Sequence, residues 1–269
     1  MKTGETTLPS KGATLYMQWW LPDGMPRAVV AIVHGYAEHS GRYAQTAADL
    51  VARGYAVEAV DLRGHGRSSG GRVQVESYED YLNDVDAFLE RVRAVHGGKR
   101  LFLLGHSMGG GVVTSYVIDR KPALDGVILS GAAMLASRAE PPAGGPPPAP
   151  PRSGPLPAET ISRDPAVVAA YENDPLVYRG APPDRSGVAW GDAYRRVQEG
   201  MAGIAYPLLI LHGTGDKLVP YRGSVQLNDV ACSTDKTLKL YEGLYHEVLN
   251  EPERDQVVSD VAAWLDARS

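Results

Sequence analysis

The sequence predicts an α/β fold with a mostly parallel sheet. Three observations carry this. Short apolar runs alternate with stretches of helical periodicity along the chain. Several runs are apolar at every position, which suits strands buried on both faces rather than one. The 269 residues, 43% hydrophobic and 22% charged, are ample for one large core.

The elements follow in order. Residues 14–20 (TLYMQWW) are β-prone, and Pro22-Asp23-Gly24 supplies a turn. Residues 28–33 (AVVAIV) make a continuous apolar strand, and Ser40 to Arg53 reads as a helix with Gly54 just past its end. Residues 55–60 (YAVEAV) form the next strand, which empties into the glycine-punctuated loop 61–68. Tyr81, Val85, Phe88, Leu89, Val92 and Val95 recur at three- and four-residue steps, one apolar helix face. Strands at 101–104 and 124–129 flank a helix over 112–118. Pro141 to Pro157 holds nine of the chain's 20 prolines and reads as polyproline II or disorder. Helical character returns over 163–178, then strands at 207–211 and 237–241 and a last helix over 252–267. The stretch 132–203 lies between two sheet strands. It reads as a cap or lid inserted into a core made of residues 1–131 and 204–269.

Composition excludes several classes. A net charge of −5 argues against a nucleic-acid partner, which needs a basic surface. No run of about 18 apolar residues is present to span a membrane. The segment MKTGETTLPSKG does not read as a signal peptide, and the single cysteine, Cys232, excludes an internal disulfide. Together these lead to a cytoplasmic expectation. Cys232 itself reads as an inert helix residue. The histidines are scattered without ligand spacing, so no metal site is expected.

Chemistry concentrates at the carboxyl ends of the strands. Gly105-His106-Ser107-Met108-Gly109 matches G-x-S-x-G directly after strand 101–104 and opens onto a helix. That is the context of a nucleophile elbow, whose strained turn lifts a serine hydroxyl out of the sheet. The surrounding glycines let strand and helix approach closely. A serine hydroxyl needs a base, and the base an orienting group. The order serine, acid, histidine selects His246, after strand 237–241, and Asp216, after strand 207–211. Asp235 precedes its strand and belongs at the opposite edge. His212 reads as structural. Glu242 and Glu247 are too close in sequence to His246 to orient it readily. Two backbone N–H groups should meet the developing oxyanion: Met108, following the serine, and Tyr36, in the His34-Gly35-Tyr36 loop.

These stretches together resemble the monoacylglycerol lipase family of α/β-hydrolases, its bacterial members in particular. The matching words are HGYAEHSGRY (34–43), DLRGHGRS (61–68), GHSMGG (105–110), ISRDP (161–165), NDPLV (173–177), HGTGD (212–216) and YEGLYHE (241–247). The resemblance implies an eight-stranded, mostly parallel sheet with a lid, and cofactor-free hydrolysis of monoacylglycerols to glycerol and fatty acid. The family's catalytic residues fall on Ser107, Asp216 and His246, the same choice. It also implies a polar alcohol pocket drawing on Glu38, Arg42 and Tyr171; their plain alternatives are a helix N-terminal carboxylate, a surface ion pair and a lid-packing aromatic.

The departure lies in the lid. Glu140 to Gly154 lacks any large apolar residue, and Arg179, Asp184 and Arg185 near Trp190 also look unlike the family. Such a lid argues against strong membrane docking, while leaving contact through it open. It favours short- or medium-chain esters over long-chain monoacylglycerols. The alternative functions are a general carboxylesterase or lysophospholipase on the same triad, a cofactor-free haloperoxidase, and a non-catalytic receptor using the hydrolase pocket. Dehalogenase and epoxide hydrolase chemistry would need Asp at position 107. Oligomeric state is left open.

Overall fold

The computed structural model describes residues 1–134, 155–181, 183 and 186–269. Residues 141–154 of the proline-rich run, and Asp184 and Arg185, lie outside the described residues. In chain order the elements are β1 (Lys2–Ser10), β2 (Ala13–Leu21), β3 (Val29–Val33), α1 (Ala44–Ala52), β4 (Ala56–Val60), α2 (Tyr78–Val95), β5 (Leu101–His106), α3 (Met108–Asp119) and β6 (Gly126–Ser130). Then follow α4 (Pro165–Asn173), α5 (Ser186–Gly200), β7 (Leu208–Gly213), α6 (Arg222–Val230), β8 (Lys236–Tyr241) and α7 (Arg254–Asp266).

Among the described residues, eight strands form one sheet in the order β1-β2-β4-β3-β5-β6-β7-β8. From β4 to β8 every pairing is parallel; β1 and β2 add an antiparallel hairpin at one edge. The continuous apolar runs do what they predict. Val29, Ala31 and Val33 of β3 pack with Phe88 and Leu89 of α2 and Val112 and Tyr116 of α3. Val30 and Ile32 face the other way, onto Leu50 of α1 and Val258 and Leu265 of α7. Two helical layers therefore cover the sheet, and each fully buried Val, Ile, Leu or Phe of the strands contributes roughly 1.5–3 kcal/mol of apolar burial.

Two elements lie where the sequence reading has none. β1 shows only a weak alternation, exposed on one face, and pairs with β2 from Lys2↔Leu21 to Ser10↔Ala13. Its signal is the two-residue link Lys11-Gly12, with Gly12 at φ +78, a conformation that glycine adopts without a Cβ clash. The other is α5. Its Ala189, Ala193 and Val197 recur every fourth residue and join the same core cluster as α2 and α3. Small side chains and interspersed glycines mute that periodicity in the sequence. Cys232 also differs from expectation: α6 ends at Val230, and Cys232 is exposed in the following loop. No described helix is long and apolar enough to cross a membrane.

Candidate active site

Ser107 stands between β5 and α3 with φ 52 and ψ −117, a positive φ that a non-glycine residue adopts only under constraint. The constraint is visible. Ser107 N–H donates to the Ser130 carbonyl (2.9 Å), and its own carbonyl accepts from Ala133 N–H (2.9 Å) and Gly111 N–H (3.1 Å). A Cβ on Gly109 would fall 2.3 Å from the carbonyl oxygens of Val33 and His34, so only glycine lets α3 approach β3 this closely.

The loop after β3 abuts the serine. A Cβ on Gly35 would sit 3.1 Å from the Ser107 Cβ. Gly35 N–H donates to Glu38 Oε1 (2.6 Å), which fixes the loop that carries Tyr36. The DLRGHGRS loop braces it from behind. Asp61, fully buried, accepts from Ser40 N–H (2.7 Å) and Arg67 N–H (2.8 Å), and His34 Nε2 accepts from Leu62 N–H (3.0 Å). Burial holds His34 below its ordinary value against the opposing pull of the Asp61 and Glu38 carboxylates, so it stays neutral in that role.

Asp216 and His246 meet across 30 residues. His246 Nδ1 lies 2.7 Å from Asp216 Oδ2, and both side chains are buried. A carboxylate only accepts, so Nδ1 carries the proton and Nε2 keeps its lone pair. Asp216 Oδ1 accepts from Leu218 N–H (2.7 Å) and Val219 N–H (2.9 Å), which ties the carboxylate to its own turn. Burial alone would push the Asp216 carboxyl up; the charge of His246 and hydrogen bonds from His212 and His246 outweigh it and hold the group well below the usual range. Burial pulls His246 down, but Asp216 and then Glu247 and Glu38 win, and its pKa rises above 6.5. His106 packs on the His246 ring at 4.8 Å between centroids and is held down to about 4 by burial and by His246.

Ser107, His246 and Tyr36 line two adjoining pockets. One is about 300 Å³ and mainly apolar, walled by Met108, Trp190, Tyr194, Leu218 and Val219. The other, about 10 Å³, has room for a single water-sized group and is walled in part by Glu38, Arg42, Tyr171 and Glu247. The structure thus brings Glu38, Arg42 and Tyr171 to one place beside the serine. Arg42 is no surface residue: it is buried between Glu38 (2.7 Å) and Glu247 (2.6 Å), its guanidinium 4.8 Å from the centre of the Tyr171 ring. Glu38 is likewise buried, accepting also from Tyr43 Oη (2.8 Å). Tyr171 packs with Ala158, Ile161 and Val177, so it is a cap-packing aromatic as well as a pocket wall. Asp235 lies before β8 and bonds Arg268 Nε (2.9 Å), at the other edge of the sheet.

Two residues of the site escaped the sequence. His212 is not merely structural: its Nε2 reaches the same Asp216 oxygen at 3.1 Å, while Nδ1 meets Ser224 Oγ at 2.7 Å. Its signal is the four-residue spacing to Asp216 across a strand end. Glu247 pairs with Arg42 from 205 positions away, and no local pattern announces that. Among the described residues no group of three or more His, Cys, Asp or Glu side chains is arranged to hold a metal ion.

The chain is similar to known proteins over nearly its whole length. The family described as Serine aminopeptidase, S33 matches residues 24–253. The monoacylglycerol lipase of Mycolicibacterium smegmatis is 39% identical over 262 residues, 94% of this chain and 93% of that one. The chain belongs to the monoacylglycerol lipase family of α/β-hydrolases. Human monoglyceride lipase is 32% identical over 281 residues, covering 96% of this chain and 88% of its own. The crystal structure of Paleococcus ferrophilus monoacylglycerol lipase superposes with a TM-score of 0.78 at 30% identity, with all of both chains covered. The eight-stranded sheet and the flanking helices are those of this family.

Proposed function

We propose that the protein hydrolyses carboxylic esters, monoacylglycerols to glycerol and fatty acid first among them, through an acyl-enzyme on Ser107. One observation carries the reading: a serine on a strained strand-to-helix turn shares its pocket with a histidine whose Nδ1 is held by a buried aspartate. His246 Nε2 takes the Ser107 proton as Oγ attacks the ester carbonyl. Asp216 fixes the tautomer and stabilises the imidazolium that forms. The N–H of Met108, first residue of α3 and without an intrahelical partner, and the N–H of Tyr36 meet the oxyanion. The imidazolium then gives its proton to the departing alcohol oxygen. Water, deprotonated by His246, attacks the acyl-enzyme and releases the acid.

The two pockets divide the substrate. The apolar one takes the acyl chain, and the alcohol end of the substrate faces the side chains of the other. At about 300 Å³ the acyl pocket lies at the low end of the range for ligand sites, which supports short- and medium-chain acids, and with them the general carboxylesterase reading. A series of monoacylglycerols from butanoyl to oleoyl tests both points. Release of glycerol with kcat/KM highest at short or medium chains is expected. A clear maximum at long chains would contradict the chain-length assignment. Absence of hydrolysis across the whole series would contradict the ester reading.

A further inference from the structure

We infer that the alcohol pocket carries a net negative charge set by Glu247, and that it selects esters of neutral or cationic alcohols against esters of anionic, phosphate-bearing ones. The inference rests on the ester-hydrolase reading of Ser107 and narrows its substrate class.

Two carboxylates, Glu38 and Glu247, face a single guanidinium, and the three side chains are 5%, 6% and 9% exposed for Glu38, Glu247 and Arg42 respectively. Glu247 binds Arg42 through both oxygens, at 2.6 and 2.8 Å, the fork geometry of a guanidinium with an ionised carboxylate. Asn250 Nδ2 donates to the same group (3.0 Å). Glu38 accepts from Gly35 N–H, Tyr43 Oη and Arg42, a set that suits a carboxylate and no acid form.

Among the described residues that line this pocket, Arg42 is the one permanent cation. Tyr171 and Tyr43 are phenols that burial keeps protonated, and His106 is held neutral, near 4, by burial and His246. His39, on the far side of Arg42, is met by its own partner, Asp174 (2.8 Å). His246, when protonated, is paired with Asp216 (2.7 Å), so its charge is met chiefly there rather than by Glu38 or Glu247.

An arginine beside a substrate suggests phosphate binding, but this one is committed. Both terminal nitrogens hold carboxylates, and the Tyr171 ring lies over its plane. A phosphate drawing Arg42 away would leave two buried carboxylates unpaired, and like charges brought together without water are strongly disfavoured. A glycerol moiety has only hydroxyls, which can donate to carboxylate oxygens. A cationic alcohol gains from the surplus charge.

The test uses three decanoyl esters that differ only in the alcohol: glycerol, glycerol 3-phosphate and choline. In the wild-type protein the phosphate ester is expected at least about 100-fold below the glycerol ester in kcat/KM, with the choline ester within about 10-fold of it. In Glu247→Gln the glycerol-to-phosphate ratio should narrow about 10-fold or more, and the choline ester should lose ground. A wild-type phosphate ester within about 10-fold of the glycerol ester would overturn the inference, whether or not the variant folds. So would an unchanged ratio in a Glu247→Gln protein that melts cooperatively and is labelled at Ser107 by a fluorophosphonate. Failure of the wild-type protein to take that label or to cleave any of the three esters would remove the hydrolase reading itself, and this inference with it.

Discussion

The two sides of the cleft at Ser107 are built by opposite means. On the polar side, Glu38, Arg42 and Glu247 come from two distant stretches of chain and lock at 2.6–2.8 Å, with Tyr171 of the cap laid over the guanidinium. On the apolar side, Trp190 of α5 meets Tyr36, Tyr78 and Tyr81 edge to face at 6.0–6.2 Å between ring centroids. Ion pairs of this kind demand one geometry, whereas aromatic contacts tolerate small shifts and substitutions. The polar side should therefore fail sharply when altered, and the apolar side by degrees. The serine and its histidine serve both.

Short of removing the serine, the largest effect should come from the aspartate that holds the histidine shared by both sides. Asp216→Asn is expected to lower kcat about 10⁴-fold, because the amide can present the wrong atom to Nδ1 and cannot balance the imidazolium. His246 must be neutral to act as base, and its pKa lies above 6.5. Wild-type kcat/KM should thus rise with pH through a midpoint above 6.5, and Asp216→Asn should move that midpoint down. Equal losses with no shift of the acid limb would mean that Asp216 does not act on His246.

Next is the polar side. Arg42→Met leaves two buried carboxylates without their partner and should cost about 3–5 kcal/mol in denaturant unfolding. The sign of the pH dependence follows from Glu38. Burial raises its carboxyl, but Arg42 and the neighbouring histidines outweigh burial and hold it at about 2, against 4.5 in an unfolded chain. Its contribution is complete above about 4.5 and is lost as the pH falls towards 2. In Arg42→Met that acid-side loss should flatten. A fully stable variant with the wild-type acid profile would place the ion-pair network outside the energetics.

The apolar side should give the smallest change. Trp190→Leu removes edge-to-face contacts worth about 0.5–1.5 kcal/mol each, and should shift the kcat/KM profile across acyl lengths by less than about 10-fold. A variant as impaired as Asp216→Asn on every chain length would erase the contrast between the two sides.

The same contrast explains what the sequence made legible. The strand at 28–33 and the elbow at 105–109 are local patterns, each readable within a few residues, and Asp216 and His246 follow from the chain order such an elbow requires and from the strand ends they sit on. β1 and α5 were not, since one has a single weakly apolar face and the other packs through alanines. The Arg42–Glu247 pair and the second histidine on Asp216 depend on which loops the sheet brings together. Periodicity carries no information about that. The resemblance did supply Glu38, Arg42 and Tyr171 as pocket residues, though not that burial and pairing would turn them into one charged unit.

The central claim is that Ser107 is the nucleophile that His246 activates. Its most direct test is peptide mapping of the wild-type protein after reaction with a fluorophosphonate, beside Ser107→Ala assayed on decanoyl glycerol. The account predicts a single adduct on Ser107, no adduct in the variant, and a loss of about 10⁶-fold in kcat with the fold retained. An adduct on another residue, or a Ser107→Ala protein that still turns over the ester at a comparable rate, would contradict it.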